Sequence, residues 1–179
     1  MVVNSLKIRL YGDACLRKKS RIVEAVGPGE RLLIKAMINT MNSHKGIGLA
    51  APQVGINEQI FVADVGDGPF AVVNPKITKK SIGSETLEEG CLSIPKVQVK
   101  VKRAKSIWVE YTNEYNQTVQ QQLTDLPSRV FQHELDHLNG KLILDYADIQ
   151  EKIKLIKQSE ELKKSNQKAD DASRRSGKV

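Results

Sequence analysis

The spacing of apolar residues predicts several short strands. Segments in which apolar and polar positions alternate, as in strands buried on one face, are residues 97–101, 107–111 and 119–123. Residues 59–65 and 70–74 flank the turn Gly66-Asp67-Gly68-Pro69 and predict a hairpin. We also expect residues 5–12 and 76–85 to be extended.

Two helices are predicted near the ends of the chain. Apolar side chains recur at helical spacing along residues 29–44, after the breaker Gly27-Pro28-Gly29. Near the C-terminus, Asp148 and Glu151 have the spacing of a capping box, so a final helix is expected over about residues 148–164. Its predicted inward stripe consists of Ile149, Ile153 and Ile156.

A third helix is predicted within residues 124–140. Thr124 and Asp125 are candidate N-caps, Pro127 suits a first turn and Gly140 suits a C-terminal cap. Its two apolar stripes contain Leu126, Val130, His133 and His137 on one side, and Phe131, Leu135 and Leu138 on another. A helix with apolar residues on two sides packs inside a core rather than on its surface.

This helix carries the pattern His133-Glu134-Leu135-Asp136-His137. Residues four apart lie on one face of a helix, one turn from each other, so both imidazoles can reach a single metal ion. Glu134 then projects beside the ion, where it can accept a proton from a bound water. The alternative is a pair of core histidines that are hydrogen-bonded to backbone carbonyls.

A catalytic metal usually has three protein ligands and one open position, so a third ligand is expected. No histidine follows His137, and the acidic candidates after it are Asp145, Asp148 and Glu151. Cys91 is the better candidate, because Gly90 permits a turn that directs the sulfur and a metal deprotonates a coordinating thiol. The alternative for Cys91 is an inert buried cysteine.

Composition predicts a cytoplasmic protein without a membrane partner. Of the 179 residues 40% are hydrophobic, and no apolar run approaches the ~18 residues of a membrane span. The N-terminus lacks the apolar core of a secretory signal. The two cysteines do not indicate a disulfide framework, and Cys15 is expected to have only a packing role. His44, the third histidine, is expected to be a solvated residue at a helix end.

The net charge of +7 is unevenly distributed along the chain. Residues 150–179 contain nine Lys or Arg and five Asp or Glu, which gives this region a charge of +4. Only 4% of the residues are aromatic, so the stacking side chains of single-strand binders are missing and no specific DNA partner is predicted. We expect residues 166–179 to be a charged, disordered tail, and the ribosome is a candidate partner for the basic C-terminal region.

Three segments resemble the signature motifs of peptide deformylases, in the same order. They are Gly46-Ile47-Gly48-Leu49-Ala50-Ala51-Pro52-Gln53, Glu89-Gly90-Cys91-Leu92-Ser93 and Gln132-His133-Glu134-Leu135-Asp136-His137. The family's metal ligands correspond to Cys91, His133 and His137. Together with the predicted order of helices and strands, the resemblance predicts an α+β fold in a single catalytic domain, residues 1–165. Mostly antiparallel β-sheets would surround the central metal-binding helix, with an N-terminal helix and a C-terminal helix.

The resemblance implies hydrolysis of the N-formyl group from the N-terminal methionine of nascent peptides, with release of formate. Glu134 is implied as the general base and then the general acid. The side-chain amide of Gln53 and the backbone N–H of Leu92 are implied as donors to the developing oxyanion. The implied cofactor is one Fe2+ per chain, and Zn2+, Ni2+ or Co2+ can occupy the site.

Substrate contacts are implied in the same way. Gly48 and Gly90 correspond to substrate-binding positions, and the backbone of residues 46–48 would pair with the peptide as an added strand. The positions that match the family's methionine pocket are Ile47, Leu87, Leu126 and Val130. The alternative for these four is an ordinary role in the core.

One position departs from the family pattern. Many members have an arginine shortly after the cysteine motif, where this chain has Gln98. The sequence therefore does not predict the affinity for the peptide residues that follow the methionine. Arg103 matches another basic position, and we expect it to pair with Glu89.

Two other interpretations also stay open. One is a metalloprotease with a third ligand after the helix, and the other is an inactive deformylase-like domain that binds nascent chains or ribosomal RNA.

Overall fold

Most of the helices and strands follow the predicted order, but the strands at residues 48–50 and 84–91 were not predicted. The computed structural model describes residues 5–157. The strands are β1 Gly48–Ala50, β2 Ile60–Ala63, β3 Phe70–Lys80, β4 Ser84–Cys91, β5 Ile94–Ala104, β6 Ser106–Thr112 and β7 Thr118–Thr124. The helices are α1 Pro28–Ser43, α2 Asp125–Leu138 and α3, residues 149–157, with 3-10 helices at Ala14–Arg17, Ala51–Val54 and Ile143–Asp145. The α+β fold is therefore confirmed.

The strands form two antiparallel sheets. The larger sheet has the order β1-β2-β3-β6-β7, and the smaller one consists of β4 and β5. The predicted hairpin is confirmed as β2 and β3, which pair from Ile60 opposite Val73 to Ala63 opposite Phe70. Residues 5–10 are not part of either sheet. The extended N-terminal segment is instead fixed by single bonds, such as the one from the Arg9 N–H to the Gln53 carbonyl at 2.7 Å.

Strand β2 is buried on both faces, and this places the two long helices. Ile60 and Val62 lie in a core with α1, whereas Phe61 and Ala63 lie in a core with α2. The rings of Phe61 and Phe131 meet edge to face at 5.1 Å, which fixes α2 against the sheet. On its other side, α2 contacts β5. The prediction of a central helix is confirmed.

The ends of α2 also agree with the sequence. The helix begins at Asp125 after Thr124 and ends at Leu138, and Gly140 has a φ of +70°. A Cβ atom at Gly140 would lie 2.5 Å from the Arg17 carbonyl oxygen, so both the backbone angle and the space require glycine. At the N-terminal helix, Pro28 is the first helical residue rather than a breaker before it.

The predicted inward face of the final helix is wrong for two of its three residues. Ile149 and Ile153 are exposed, whereas Leu155 and Ile156 pack into a core with β5. Lys152 lies on the same inward side and pairs with Asp145 at 3.0 Å. This ion pair and the apolar contacts together determine which face of the helix points inward. The spacing of apolar residues alone did not predict this face.

Some predictions fall outside the part of the chain that the structure describes. Residues 158–164 of the expected final helix and the expected tail, residues 166–179, are among them. Within residues 5–157, none of the helices has the length and apolar character needed to span a membrane.

We expect Asp145→Asn to destabilise the fold in a pH-dependent way. Burial raises the pKa of Asp145, but bonds from Arg17, the Leu142 N–H and Lys152 outweigh it and lower the pKa from 3.8 to about 2. The ionised form therefore stabilises the folded state above pH ~4, and this contribution is lost as the pH falls from ~4 to ~2. The variant should lose about 1–2 kcal/mol at pH 7 and progressively less below pH ~4.

Urea unfolding of both proteins at pH 7 and pH 3 measures this difference. The matched control is Asp67→Asn, because Asp67 is exposed in the β2–β3 turn and should change stability by less than about 0.5 kcal/mol. A loss that stayed constant over this pH range would contradict the assignment to the Asp145 carboxylate.

Candidate functional site

Two elements bring the predicted metal ligands together. Cys91 is the last residue of β4, and α2 presents His133 and His137 one turn apart. The ligand atoms of these three residues all lie within 4.8 Å of one another. Cys91 Sγ is 3.3 Å from His137 Nε2, and the two imidazole rings are 5.0 Å apart. One thiol and two imidazoles form the three-ligand set that suits a catalytic metal with an open position.

The surroundings of His133 favour a positive charge. Its Nδ1 is 2.9 Å from Glu89 Oε2, which leaves the other ring nitrogen for the site. Burial lowers the pKa of His133, but hydrogen bonds with Cys91 and Glu89 outweigh it and raise the pKa to about 10. A metal cation would meet the same favourable environment as this proton.

His137 has a different environment from His133. It is buried, and burial together with the nearby His133 lowers its pKa well below the ordinary value. Among residues 5–157, its Nδ1 has no hydrogen-bond partner. The alternative of two core histidines required hydrogen bonds to backbone carbonyls. Within residues 5–157, neither histidine has such a bond. A neutral imidazole is the form that binds a metal.

Glu89 connects this cluster to the rest of the fold. Arg103 donates two hydrogen bonds to its carboxylate at 2.8 and 2.9 Å, which confirms the predicted pair. Arg129, which no sequence pattern singled out, donates a third hydrogen bond at 2.7 Å. Burial raises the pKa of Glu89, but the bonds from Arg103 and His133 lower it to about 2. A fixed negative charge therefore lies directly behind His133.

Glu134 is buried without such partners. Its side chain points toward Gly48, where an added Cβ atom would lie only 2.2 Å from Oε1. Within the described part of the chain, Oε2 has no hydrogen-bond partner. Burial raises the pKa of Glu134 to about 7, even though the charges of His133 and Arg103 act in the opposite direction. A carboxyl with this pKa can both accept and release a proton near neutral pH.

The amide of Gln53 is oriented toward the same cluster. The Ala50 N–H donates to Gln53 Oε1 at 2.8 Å, so the amide nitrogen faces the other way. Nε2 lies 3.3 Å from Ser93 Oγ and 3.5 Å from Cys91 Sγ. Leu92 belongs to the two-residue turn that follows Cys91. The predicted oxyanion donors are thus next to the predicted ligands.

A pocket of about 970 Å³ opens beside these groups. The predicted substrate positions that line it are Ile47, Gly48, Gly90, Leu126 and Val130. Leu87 lies instead at a smaller neighbouring pocket of about 160 Å³, which it shares with Leu126 and Arg129. His44 is exposed at the end of α1, as expected, and it also lines the mouth of the large pocket.

The acidic residues after α2 have other partners. Asp145 pairs with Arg17 and Lys152, and Asp148 accepts a hydrogen bond from the Glu151 N–H at 2.8 Å. Over residues 5–157, Cys91, His133 and His137 form the one group of histidine, cysteine and acidic side chains that is close enough to hold a metal. This geometry gives no support to a metalloprotease with a ligand after the helix.

We expect Glu89→Gln to be strongly destabilising. The variant would leave Arg103 and Arg129 buried beside an uncharged amide, and breaking a buried ion pair in this way costs about 3–5 kcal/mol. The free energy of unfolding, measured with urea at pH 7, tests this expectation. The matched control is Glu58→Gln, whose partner Arg21 is exposed, so the loss should be at most about 1 kcal/mol. Similar losses of stability in the two variants would contradict our explanation that the Glu89 ion pairs are costly to break because they are buried.

Comparison with known proteins identifies the family. The family model for polypeptide deformylase matches residues 5–153. The peptide deformylase of Thermotoga neapolitana is 44% identical over 159 residues, which are 89% of this chain and 97% of that protein. The peptide deformylase of Pseudothermotoga lettingae is 45% identical over 168 residues, which are 94% of this chain and 98% of that protein.

A solved structure agrees with these sequence matches. The crystal structure of peptide deformylase from Thermotoga maritima has a TM-score of 0.80 and 46% identity, and the match covers 81% of this chain and 99% of that one. The chain therefore belongs to the polypeptide deformylase family, and it is an enzyme that acts on formylated peptides.

Proposed function

We propose that this member of the polypeptide deformylase family hydrolyses the N-formyl group from the N-terminal methionine of newly synthesised polypeptides and releases formate. The observation that supports this most directly is the convergence of Cys91, His133 and His137 beside a buried Glu134 at one pocket. The family shows that formylated peptides are the substrates, and this cluster supplies the chemistry for a hydrolysis.

Cys91, His133 and His137 would hold one metal ion. When bound, the ion lowers the pKa of a water molecule and polarises the formyl carbonyl as a Lewis acid. Two observations support the fit: the three donor atoms converge, and the contact between His133 Nδ1 and Glu89 leaves the other ring nitrogen of His133 for the ion. We propose Fe2+ as the resident ion. Zn2+, Ni2+ or Co2+ can substitute for it, because all of these ions accept imidazole and thiolate ligands.

Glu134 acts as the general base and then as the general acid. It accepts a proton from the attacking water and delivers it to the amine that leaves when the formyl C–N bond breaks. Its pKa of about 7 suits both steps, because neither protonation state is strongly favoured at neutral pH. The absence of a side chain at Gly48 gives the carboxylate its place at the pocket wall.

Gln53 and Leu92 stabilise the developing negative charge on the formyl oxygen. The bond from the Ala50 N–H to Gln53 Oε1 fixes which end of the amide faces the site, so the donor is oriented before the substrate arrives. The backbone N–H of Leu92 is the second donor, next to the ligand Cys91. Gly90, on the other side of Cys91, lines the pocket and allows close approach of the peptide.

The peptide would bind as an additional strand. In the part of the chain that the structure describes, β1 pairs only with β2, so residues 46–48 can offer backbone groups to an extended peptide on the other edge. Recognition through the main chain suits an enzyme that acts on many different nascent chains. The methionine side chain would lie against Ile47, Leu126 and Val130, with Leu87 contributing from the neighbouring pocket.

We expect Glu134→Gln to retain the metal but to lose turnover by about 10²–10⁴-fold, which is the usual contribution of a general base. Formate release from a formyl-Met-Ala-Ser peptide measures the activity, and metal analysis of anaerobically purified protein measures occupancy. Glu24→Gln is the matched control, because Glu24 is exposed and distant in sequence from the three motifs. Undiminished turnover in Glu134→Gln would refute its role as the base.

We expect Cys91→Ala to lose most of its metal, because two imidazoles bind an ion far less tightly than the complete set. Cys15→Ala should retain it, because the Cys15 thiol donates to the Pro52 carbonyl and is outside the cluster. Metal content per chain measures the difference. A metalloprotease with a downstream ligand would instead keep its metal without Cys91 and would cleave internal peptide bonds.

The ribosome is a further proposed partner, through the basic C-terminal region. The +4 charge of residues 150–179 would be attracted to ribosomal RNA. We expect deletion of residues 166–179 to weaken co-sedimentation with ribosomes while formate release from a short peptide stays the same. Unchanged co-sedimentation would contradict a contribution of residues 166–179 to ribosome binding.

A further inference from the structure

We propose that Asp136 is a positioning residue for the ligand His133, acting through Arg103 and Glu89, and that its charge favours metal binding. This inference rests on the proposed function, because it concerns the metal ion that this function requires. Asp136 does not line the large pocket, and it lines instead a separate pocket of about 260 Å³. It would therefore act on the site without touching the substrate.

A continuous series of hydrogen bonds leads from Asp136 to His133. Arg103 Nη1 donates to Asp136 Oδ2 at 2.6 Å. The other two nitrogens of the same guanidinium, Nη2 and Nε, donate to Glu89 at 2.8 and 2.9 Å. Glu89 Oε2 is in turn 2.9 Å from His133 Nδ1. Because Arg103 and Glu89 are both buried, Asp136 is connected to a metal ligand through two side chains that are protected from water.

Tyr146 supports the outer end of this series. Its hydroxyl accepts a hydrogen bond from Arg103 Nη1 at 3.1 Å and donates one to Asp136 Oδ2 at 2.7 Å. Cζ of Arg103 also lies 5.0 Å from the centre of the Tyr146 ring. The planar guanidinium is thus held by Glu89 on one side and by Asp136 with Tyr146 on the other, which fixes its orientation.

Asp136 also contributes to the charge balance behind the metal ligands. Arg103 and Arg129 are both paired with Glu89, so two positive charges share one carboxylate there. Asp136 supplies a second carboxylate through its ion pair with Arg103. Its replacement by asparagine would make this region more positive by one charge, while every other charge near the site stays the same. Repulsion in a buried region is screened little by water, so the change would weaken cation binding.

The loss of Asp136 would also change the contact that orients His133. Glu89 Oε2 is shared between Arg103 Nη2 and His133 Nδ1. Without Asp136, Glu89 would be the one carboxylate left to Arg103 among residues 5–157. Arg103 would then compete more strongly for Oε2. Loss of the outer partners of a metal-bound histidine typically costs about 10–100-fold in metal affinity or activity.

Asp145 provides a matched control for Asp136. Its carboxylate pairs with Arg17 and Lys152 and takes no part in the series of bonds that leads to His133. The side chain of Asp145 is 23% exposed, compared with 22% for Asp136. If Asp136 only stabilised the fold, substitution of either residue would lower stability and leave the metal affinity unchanged.

Metal affinity in the isosteric variant Asp136→Asn tests the inference. The measurement starts from the Co2+-loaded full chain, and competition with a chelator of known affinity gives the dissociation constant of Co2+. We expect Asp136→Asn to bind Co2+ about 10–100-fold less tightly than the wild type. Asp145→Asn should lose stability but keep the wild-type dissociation constant, because its ion pairs do not lead to a metal ligand.

Two further variants separate the charge of Asp136 from its shape. Asp136→Glu keeps the carboxylate, and the longer side chain can extend into the pocket that Asp136 and Arg103 both line, so it should bind Co2+ more tightly than Asp136→Asn. Tyr146→Phe removes only a hydroxyl group and should weaken binding by a smaller factor. In the double variant Asp136→Asn with Tyr146→Phe, the second change should add little, because the two side chains act together.

Turnover with saturating Co2+ gives a second measurement. Because Asp136 does not line the substrate pocket, we expect KM for a formyl-Met-Ala-Ser peptide to stay within about twofold of the wild-type value in Asp136→Asn. The kcat should fall, because a less well oriented His133 holds the ion less well in place. In Asp145→Asn, both kcat and KM should stay at their wild-type values.

The outcomes separate this inference from the proposed function. Wild-type affinity for Co2+ in Asp136→Asn, or an equal loss of affinity in Asp145→Asn, would overturn the inference and leave deformylation standing. A loss in Asp136→Glu as large as that in Asp136→Asn would also overturn it. If Asp136→Asn does not fold, unchanged Co2+ affinity in Tyr146→Phe would have the same consequence. Failure of the metal-loaded wild type to release formate would instead refute the proposed function, whatever the dissociation constants are.

Discussion

The carboxylate of Glu89 is the interaction on which the rest of the site depends. It accepts hydrogen bonds from Arg103 on β5 and from Arg129 on α2, and it also binds Nδ1 of His133. Glu89 itself lies on β4, two residues before Cys91. One buried group therefore connects both strands of the small sheet to the central helix, and it sets the distance between the sulfur ligand and the imidazole ligands.

The two buried carboxylates, Glu89 and Glu134, have different roles because their environments differ. Glu134 and Glu89 are both buried close to His133, yet the pKa of one rises to about 7 and that of the other falls to about 2. Burial raises the pKa of both groups, but at Glu89 the hydrogen bonds from Arg103 and His133 outweigh it, whereas at Glu134 burial prevails. One carboxylate is a permanent charge that orients a ligand, and the other is available for proton transfer.

The pocket lies where the edge of the large sheet approaches the small sheet. Within the described residues 5–157, strand β1 has no partner on its outer edge, and the end of β4 carries Cys91 and the turn that follows it. An extended peptide can therefore meet main-chain partners and the reactive cluster at the same time.

Local features could be predicted from the sequence: the i, i+4 histidine pair, the glycine just after α2 and the alternating strands, because backbone geometry fixes where such residues recur. The residues also favoured Cys91 as the third ligand, although it lies 46 residues from His137, and the family resemblance supported this choice. The role of Arg129, the separation of Leu87 from the main pocket and the inward face of α3 could not be predicted in this way. These features depend on packing and ion pairs between distant segments, which no local period encodes.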